Sequence, residues 1–112
     1  MTSSPPWTAE ITSDDGTRIV LLTGEIDFTA VEPLRALLID ELDKPDTVRV
    51  VADLAAVSFL DSAALGILVS AYHHAGEVGR RFVVGRVSRA VGRVLEISGL
   101  YDLLVSDDTE TA

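Results

Sequence analysis

Short runs rich in β-branched residues alternate with segments of three- and four-residue apolar spacing along most of this chain, and each change of period marks a new element. Trp7–Thr12 reads as a first strand, Asp14-Asp15-Gly16 supplies turn chemistry, and Arg18–Thr23 returns as a second strand that stops at Gly24. The Asp-Gly pair between two such runs predicts a hairpin. Ala30–Leu42 then places Val31, Leu34, Leu38 and Leu42 on one helical face, with Thr29 as its expected cap ahead of Glu32. Pro33 falls in the first turn, where a missing N–H is tolerated. Lys44-Pro45-Asp46 breaks the chain before Thr47–Ala52, a short valine-bearing run that predicts a buried strand, and Asp53 follows where that strand is expected to leave the sheet.

A strand-like segment, Val57–Leu60, next hands over through Asp61 to an apolar helix over Ser62–His74. Leu65, Leu68, Val69 and Tyr72 share one face of that helix, but Ala63, Ala64, Ile67 and Ala71 make the other side apolar as well, so part of it is expected to face a partner. Gly76 and Gly79 are expected to end it. Arg81–Gly85 reads as another buried strand, Ser88 as the cap of a helix that uses Val91, Val94 and Leu95, and Leu103–Val105 as a short last strand. Leu68 and Val94 are expected in the core. The alternation after Thr17 predicts an α/β domain: a mixed sheet with an N-terminal hairpin at one edge, crossover connections, and helices covering it.

At 112 residues and 47% apolar content the chain suits one domain, expected over residues 7–106, with residues 1–6 and 107–112 as flexible ends. The absence of cysteine excludes disulfides and thiolate metal sites, and the adjacent His73 and His74 do not have the spacing of a zinc cluster. Neither a metal nor a cofactor is expected. Eighteen acids against nine bases give a formal charge of -9, which disfavours nucleic acid and anionic membranes and favours a basic protein surface as partner. With no 18-residue apolar stretch and no basic-then-apolar leader at Met1–Trp7, a soluble cytoplasmic protein is expected.

The residue with the most suggestive setting is Ser62. It stands at a helix start, where free backbone N–H groups and the helix dipole favour an anion such as phosphate. The same position is also where Asp61 or Ser62 would sit merely to cap the helix. Gly24-Glu25-Ile26-Asp27, Asp53 and Asp61 put acids at turns that would share one end of a parallel sheet, as a metal or acid–base site would, or as turn residues on a solvated rim would. A phospho-aspartate receiver would need a lysine beyond a later strand, and Lys44, the only lysine, precedes the third strand. Neither a G-x-G-x-x-G loop nor a Walker segment is present. Catalysis by Ser62 would need a base. His73 and His74 lie roughly 16–18 Å down the same helix at the rise of an α-helix, out of hydrogen-bond reach. No catalytic residue is expected, and Ser62 fits better as the substrate of another protein's kinase.

Taken in order, Gly24-Glu25-Ile26-Asp27, the strand ending at Asp53, Phe59-Leu60-Asp61-Ser62 with Leu65-Gly66, and Ile97-Ser98-Gly99-Leu100 resemble the STAS domain family, in particular bacterial anti-sigma factor antagonists of the partner-switching type. The resemblance runs from about Ala9 to Val105. It implies that Ser62 is phosphorylated by an anti-sigma factor that is an ATP-dependent serine kinase, that a serine phosphatase reverses this, and that the unphosphorylated form binds the kinase and releases a sigma factor. It implies a partner surface of Gly24, Asp27, Phe59, Leu60, Asp61, Ser62, Ala63, Leu65 and Gly66, with Asp27 as the family's acid beside the phosphorylation site. Where many relatives follow that serine with Ser or Thr and then Gly, this chain has Ala63 and Ala64. Ala63 removes an alternative acceptor, and Ala64 adds a methyl expected on the kinase side. The alternative within the same fold is a STAS module of a signalling scaffold or a lipid-transport complex. A monomer is expected for the isolated chain.

Overall fold

In the computed structural model, which describes residues 5–105, the Asp15-Gly16 pair closes the first hairpin. Both residues have positive φ, 52° and 86°, as a two-residue primed turn requires. The turn joins β1 (Trp7–Asp14) antiparallel to β2 (Thr17–Ile26) without interruption of register. A single 3-10 turn, Phe28–Ala30, leads into α1 (Val31–Asp43), which returns the chain to β3 (Arg49–Leu60), parallel to β2. Likewise α2 (Ser62–Glu77) carries it to β4 (Arg81–Val87), parallel to β3, before α3 (Arg89–Ile97) and α4 (Tyr101–Leu104). The sheet order is β1-β2-β3-β4. The result is the single α/β domain with a hairpin edge that the sequence predicts.

Alternation along the strands decides which side of the sheet is covered. Val20, Leu22, Val50, Ala52, Phe82 and Val84 join Leu34, Leu38 and Leu42 of α1 and Ala64, Ile67, Leu68, Ala71 and Ala75 of α2 in one core, to which Val91, Leu95 and Leu104 also belong. Ile19, Val51 and Val83 alternate with these residues, so they point to the other side and lie outside that cluster.

Several elements differ from expectation, each for a local reason. β3 does not end near Ala52 but pairs through Asp53 to Leu60, because irregularities against β2 at Leu21/Thr23 and Gly24/Glu25 absorb its extra residues, while the one at Ala52/Leu54 absorbs an extra residue of β4. Asp53 is therefore a mid-strand residue. Thr29 does not cap α1; Asp27 caps the 3-10 turn and Ala30 precedes α1 with no side-chain cap. The α2 core face is the alanine-bearing side, Ala64, Ile67, Leu68, Ala71 and Ala75, with Leu65, Val69 and Tyr72 only partly buried beside it. Small residues there let α2 pack close to the sheet. Gly76 lies within α2 rather than ending it, while Gly79 takes the positive φ, 74°, of the turn that follows. Val94 is half-buried, since Val91 and Leu95 occupy the inward face of α3. Leu103–Val105 is not a strand: α4 takes Tyr101–Leu104, and Val105 makes one parallel bridge to Val84. Of the ends expected to be flexible, 1–6 and 107–112, residues 1–4 and 107–112 lie outside the described residues, and the Pro6 carbonyl accepts the Glu25 N–H at 2.8 Å.

Gly24 does not stop β2; it lets Pro6 approach. Its φ is +104°, and a Cβ there would stand 2.2 Å from the Pro6 carbonyl oxygen. Gly24→Ala is expected to cost about 1–3 kcal/mol in chemical denaturation, from strain at positive φ plus the displaced chain start. A loss within about 0.5 kcal/mol, the range of an ordinary surface change, would remove this role.

Candidate functional site

The ends of β2 and β3 bring two acids side by side. Ile26 pairs with Leu60, so Asp27 and Asp61 are the residues that leave two neighbouring parallel strands, and the Asp61 N–H donates to the Ile26 carbonyl at 3.2 Å. Asp61 then caps α2, its Oδ1 accepting from the Ala64 N–H at 2.9 Å and its carbonyl from the Leu65 N–H at 2.9 Å. Both readings of this junction therefore divide between two residues: Asp61 is the cap and leaves the Ser62 hydroxyl, on the first helical residue, exposed. The first-turn amides and dipole of a 16-residue helix favour negative charge at that hydroxyl.

Asp27 is organised differently. Its Oδ1 accepts from the Thr29 hydroxyl at 2.6 Å and from the Thr29 N–H at 3.0 Å, which closes the 3-10 turn. These bonds, the hydroxyl's first, hold its carboxyl below the ordinary aspartate range. A folded-state pKa below the unfolded one means that the stabilisation is complete above the unfolded value and is lost as pH falls through the folded one. The Thr29 amide resonance is thus expected to titrate with a midpoint below that of an unperturbed aspartate; a midpoint at or above it would show that the turn does not depend on these bonds.

Two serines stitch the surrounding backbone. The Ser88 hydroxyl donates to the Val57 carbonyl at 2.6 Å and the Ser88 N–H to the Leu54 carbonyl at 3.1 Å, while the Ser58 hydroxyl reaches the Gly24 carbonyl at 3.4 Å. The ends of β2, β3 and β4 are thereby tied together. Gly24, Asp27, Phe59, Asp61, Ser62 and Ala63 all belong to this end of the sheet, with Ser62, Ala63 and Phe59 exposed. Leu60 is only 4% exposed and Leu65 is half-buried, so these two support the surface from beneath; Gly66 is exposed one turn along α2. Ala64 does not face outward as expected: it is fully buried in the core, because its position in the first turn points to the sheet. Phe28 is missing from the sequence reading. At 71% exposure it is a large aromatic standing in water directly after Asp27, and the signal was an aromatic in a turn with no periodic apolar neighbours to pack against.

Asp53, expected among the turn acids, is instead buried in β3 and receives Arg86 Nη2 at 2.6 Å and Nε at 3.0 Å, with the Ala55 N–H at 3.1 Å. These bonds to Asp53 and the accompanying attraction raise the Arg86 pKa above its ordinary value. His74 lies near the far end of α2, 2.7 Å from Asp43, away from Ser62. Among the described residues no group of three or more side chains could hold a metal, and no helix is long and apolar enough to cross a membrane.

Residues 8–112 match the sequence pattern of the STAS domain. The chain is 34% identical over 101 residues to the anti-sigma-B factor antagonist of Staphylococcus epidermidis, spanning 89% of this chain and 92% of that protein. Its fold is similar to the crystal structure of an anti-sigma factor antagonist from Mycobacterium paratuberculosis, with a TM-score of 0.80, 28% identity and coverage of 95% and 91% of the two chains. It also superposes on SpoIIAA in its unphosphorylated form (TM-score 0.76, 23% identity, 93% of this chain and 92% of that one). For the phosphorylated form of SpoIIAA from Bacillus the values are 0.70, 22%, 93% and 96%, and at these identities the likeness to SpoIIAA is one of fold.

Proposed function

The chain belongs to the STAS domain family as an anti-sigma factor antagonist of the partner-switching type, a regulator and not an enzyme, and from that premise we propose that Ser62 is its switch. In the unphosphorylated form the end of the sheet around Asp27, Phe59, Asp61, Ser62 and Ala63 binds an anti-sigma factor that is also a serine kinase, so that a sigma factor is released. Gly24, Leu60, Leu65 and Gly66 shape that surface. ATP-dependent transfer to the Ser62 hydroxyl ends the complex, and a serine phosphatase restores it. The reaction takes place in the cytoplasm, and the isolated chain is a monomer.

The observation that supports this reading most is the exposed Ser62 hydroxyl on the first residue of α2, left free because Asp61 performs the capping, with exposed Phe59 near the end of β3 and exposed Phe28 on the 3-10 turn after β2. The test incubates the chain with its cognate anti-sigma kinase and ATP and maps the phosphate by mass spectrometry. Phosphate on Ser62 is expected. Phosphate on another residue, or a pull-down that recovers a transporter ATPase or a large scaffold and no serine kinase, would overturn the assignment.

A further inference from the structure

The positive charge of this chain is segregated. Between Arg80 and Leu95 there are five arginines and no acid, while all eighteen acids lie outside that stretch with only four cations, Arg18, Arg35, Lys44 and Arg49. The stretch spans β4 and most of α3. Arg86, near the end of β4, is held by Asp53, with its side chain still 73% exposed. Arg89 and Arg93 follow on α3, one helical turn apart and both exposed, and Ile97, 82% exposed, continues the same line one turn further. Arg89 directly follows Ser88, whose hydroxyl is bonded to the Val57 carbonyl, so this basic line begins at the strand end that leads to Ser62.

We infer that Arg86, Arg89 and Arg93, ending at Ile97, form a second docking strip that receives an acidic surface of the same partner that approaches Ser62. The inference rests on the proposed function for the partner's identity, and on this chain's own charge pattern for the strip. Two arguments select an acidic protein surface over other polyanions. The strip is continuous with the proposed partner surface through Ser88 and Val57. Elsewhere the domain is strongly acidic, and a long polyanion such as duplex DNA or an anionic bilayer would meet those acids as soon as it extended beyond α3. An acidic patch of a folded partner, only as long as the strip, would not. In such a complex the arginines act chiefly on the encounter, because exposed charges steer association and are screened by salt.

The test compares wild type with Arg89→Glu/Arg93→Glu and with the milder Arg89→Gln/Arg93→Gln, each checked for unchanged thermal unfolding. Association with the cognate anti-sigma factor is followed by stopped flow between about 50 and about 300 mM salt, across which the screening length falls from about 14 to about 6 Å. At low salt the charge reversal is expected to slow association by about tenfold or more and the neutral pair by less, with the three proteins converging at high salt. Equal rates at low salt would overturn the strip. In parallel, a poly-glutamate peptide, duplex DNA and vesicles containing phosphatidylserine are titrated as probes. The peptide is expected to bind wild type and to be lost in the reversal; no peptide binding, or DNA or vesicles bound more tightly and lost in the same variant, would reassign or remove the surface. Were no anti-sigma factor to bind wild type, the proposed function would fail while the peptide titration still decided the strip.

Discussion

Full phosphorylation of Ser62 is expected to weaken binding of the anti-sigma factor by roughly a hundredfold or more. The phosphate brings about -1.5 to -2 charges at neutral pH to a surface where Asp61 and Asp27 leave neighbouring strands. Placing that dianion in an interface formed around a neutral hydroxyl costs several kcal/mol without a new cationic partner, and about 3 kcal/mol already corresponds to a hundredfold. The fold is not expected to change, because the first-turn amides of α2 can receive a phosphate and the turn backbone is held by bonds that do not involve the Ser62 hydroxyl. Ser62→Asp, with a single charge, is expected to lose part of that affinity, whereas Ser62→Ala should bind within severalfold of wild type and accept no phosphate. Calorimetric titration of the unmodified, phosphorylated and substituted chains with the cognate partner measures all of these. Unchanged affinity at full modification would eliminate the switch.

Leu68→Ala is expected to destabilise the domain by about 2–5 kcal/mol, the range for removing a buried leucine side chain from a site that cannot collapse. Leu68 has no exposed surface and belongs to the face of α2 that meets the sheet, alongside Ile67 and Ala71. Val94→Ala makes the comparison informative. Val94 is half-buried, so its truncation is expected to cost about 1 kcal/mol or less. Equal losses for the two in urea denaturation would mean that α3 packs more tightly than its exposure indicates.

The elements easiest to read were those whose local chemistry agrees with their tertiary setting. Asp15-Gly16 closes a hairpin with both residues at positive φ, and the Leu34, Leu38 and Leu42 stripe is buried throughout. The less legible elements were decided by partners distant in sequence. The middle of β3 reads as a strand end followed by small residues, yet β2 and Arg86 hold it in the sheet. On α2 the larger side chains drew attention to the wrong face, since close packing against the sheet selected alanines. At the site, Ser62 and Asp61 were legible from the strand-to-helix junction, but their division of labour was not, because two neighbouring residues can each cap a helix and only geometry distinguishes the one that does. Phe28 escaped notice because exposure is a property of the folded surface.

The stitching of the Ser62 turn to its neighbours, through the Asp61 N–H to Ile26 and the Ser88 hydroxyl to Val57, bears on how any enzyme would reach the proposed Ser62 mark. A kinase or phosphatase that draws its target into a cleft as an extended peptide would have to break those bonds and unwind the start of α2 first. Under the proposed switch, a kinase and a phosphatase of Ser62 are expected instead to accept the serine on an intact helix, with the adjoining strand ends in place. A short peptide copied from Val57–Gly66 would carry the same letters without that relief, and should be a poor substrate for either enzyme. Selectivity among sibling domains in one cell can then be set by shape around the turn, even where the residues next to the serine are identical.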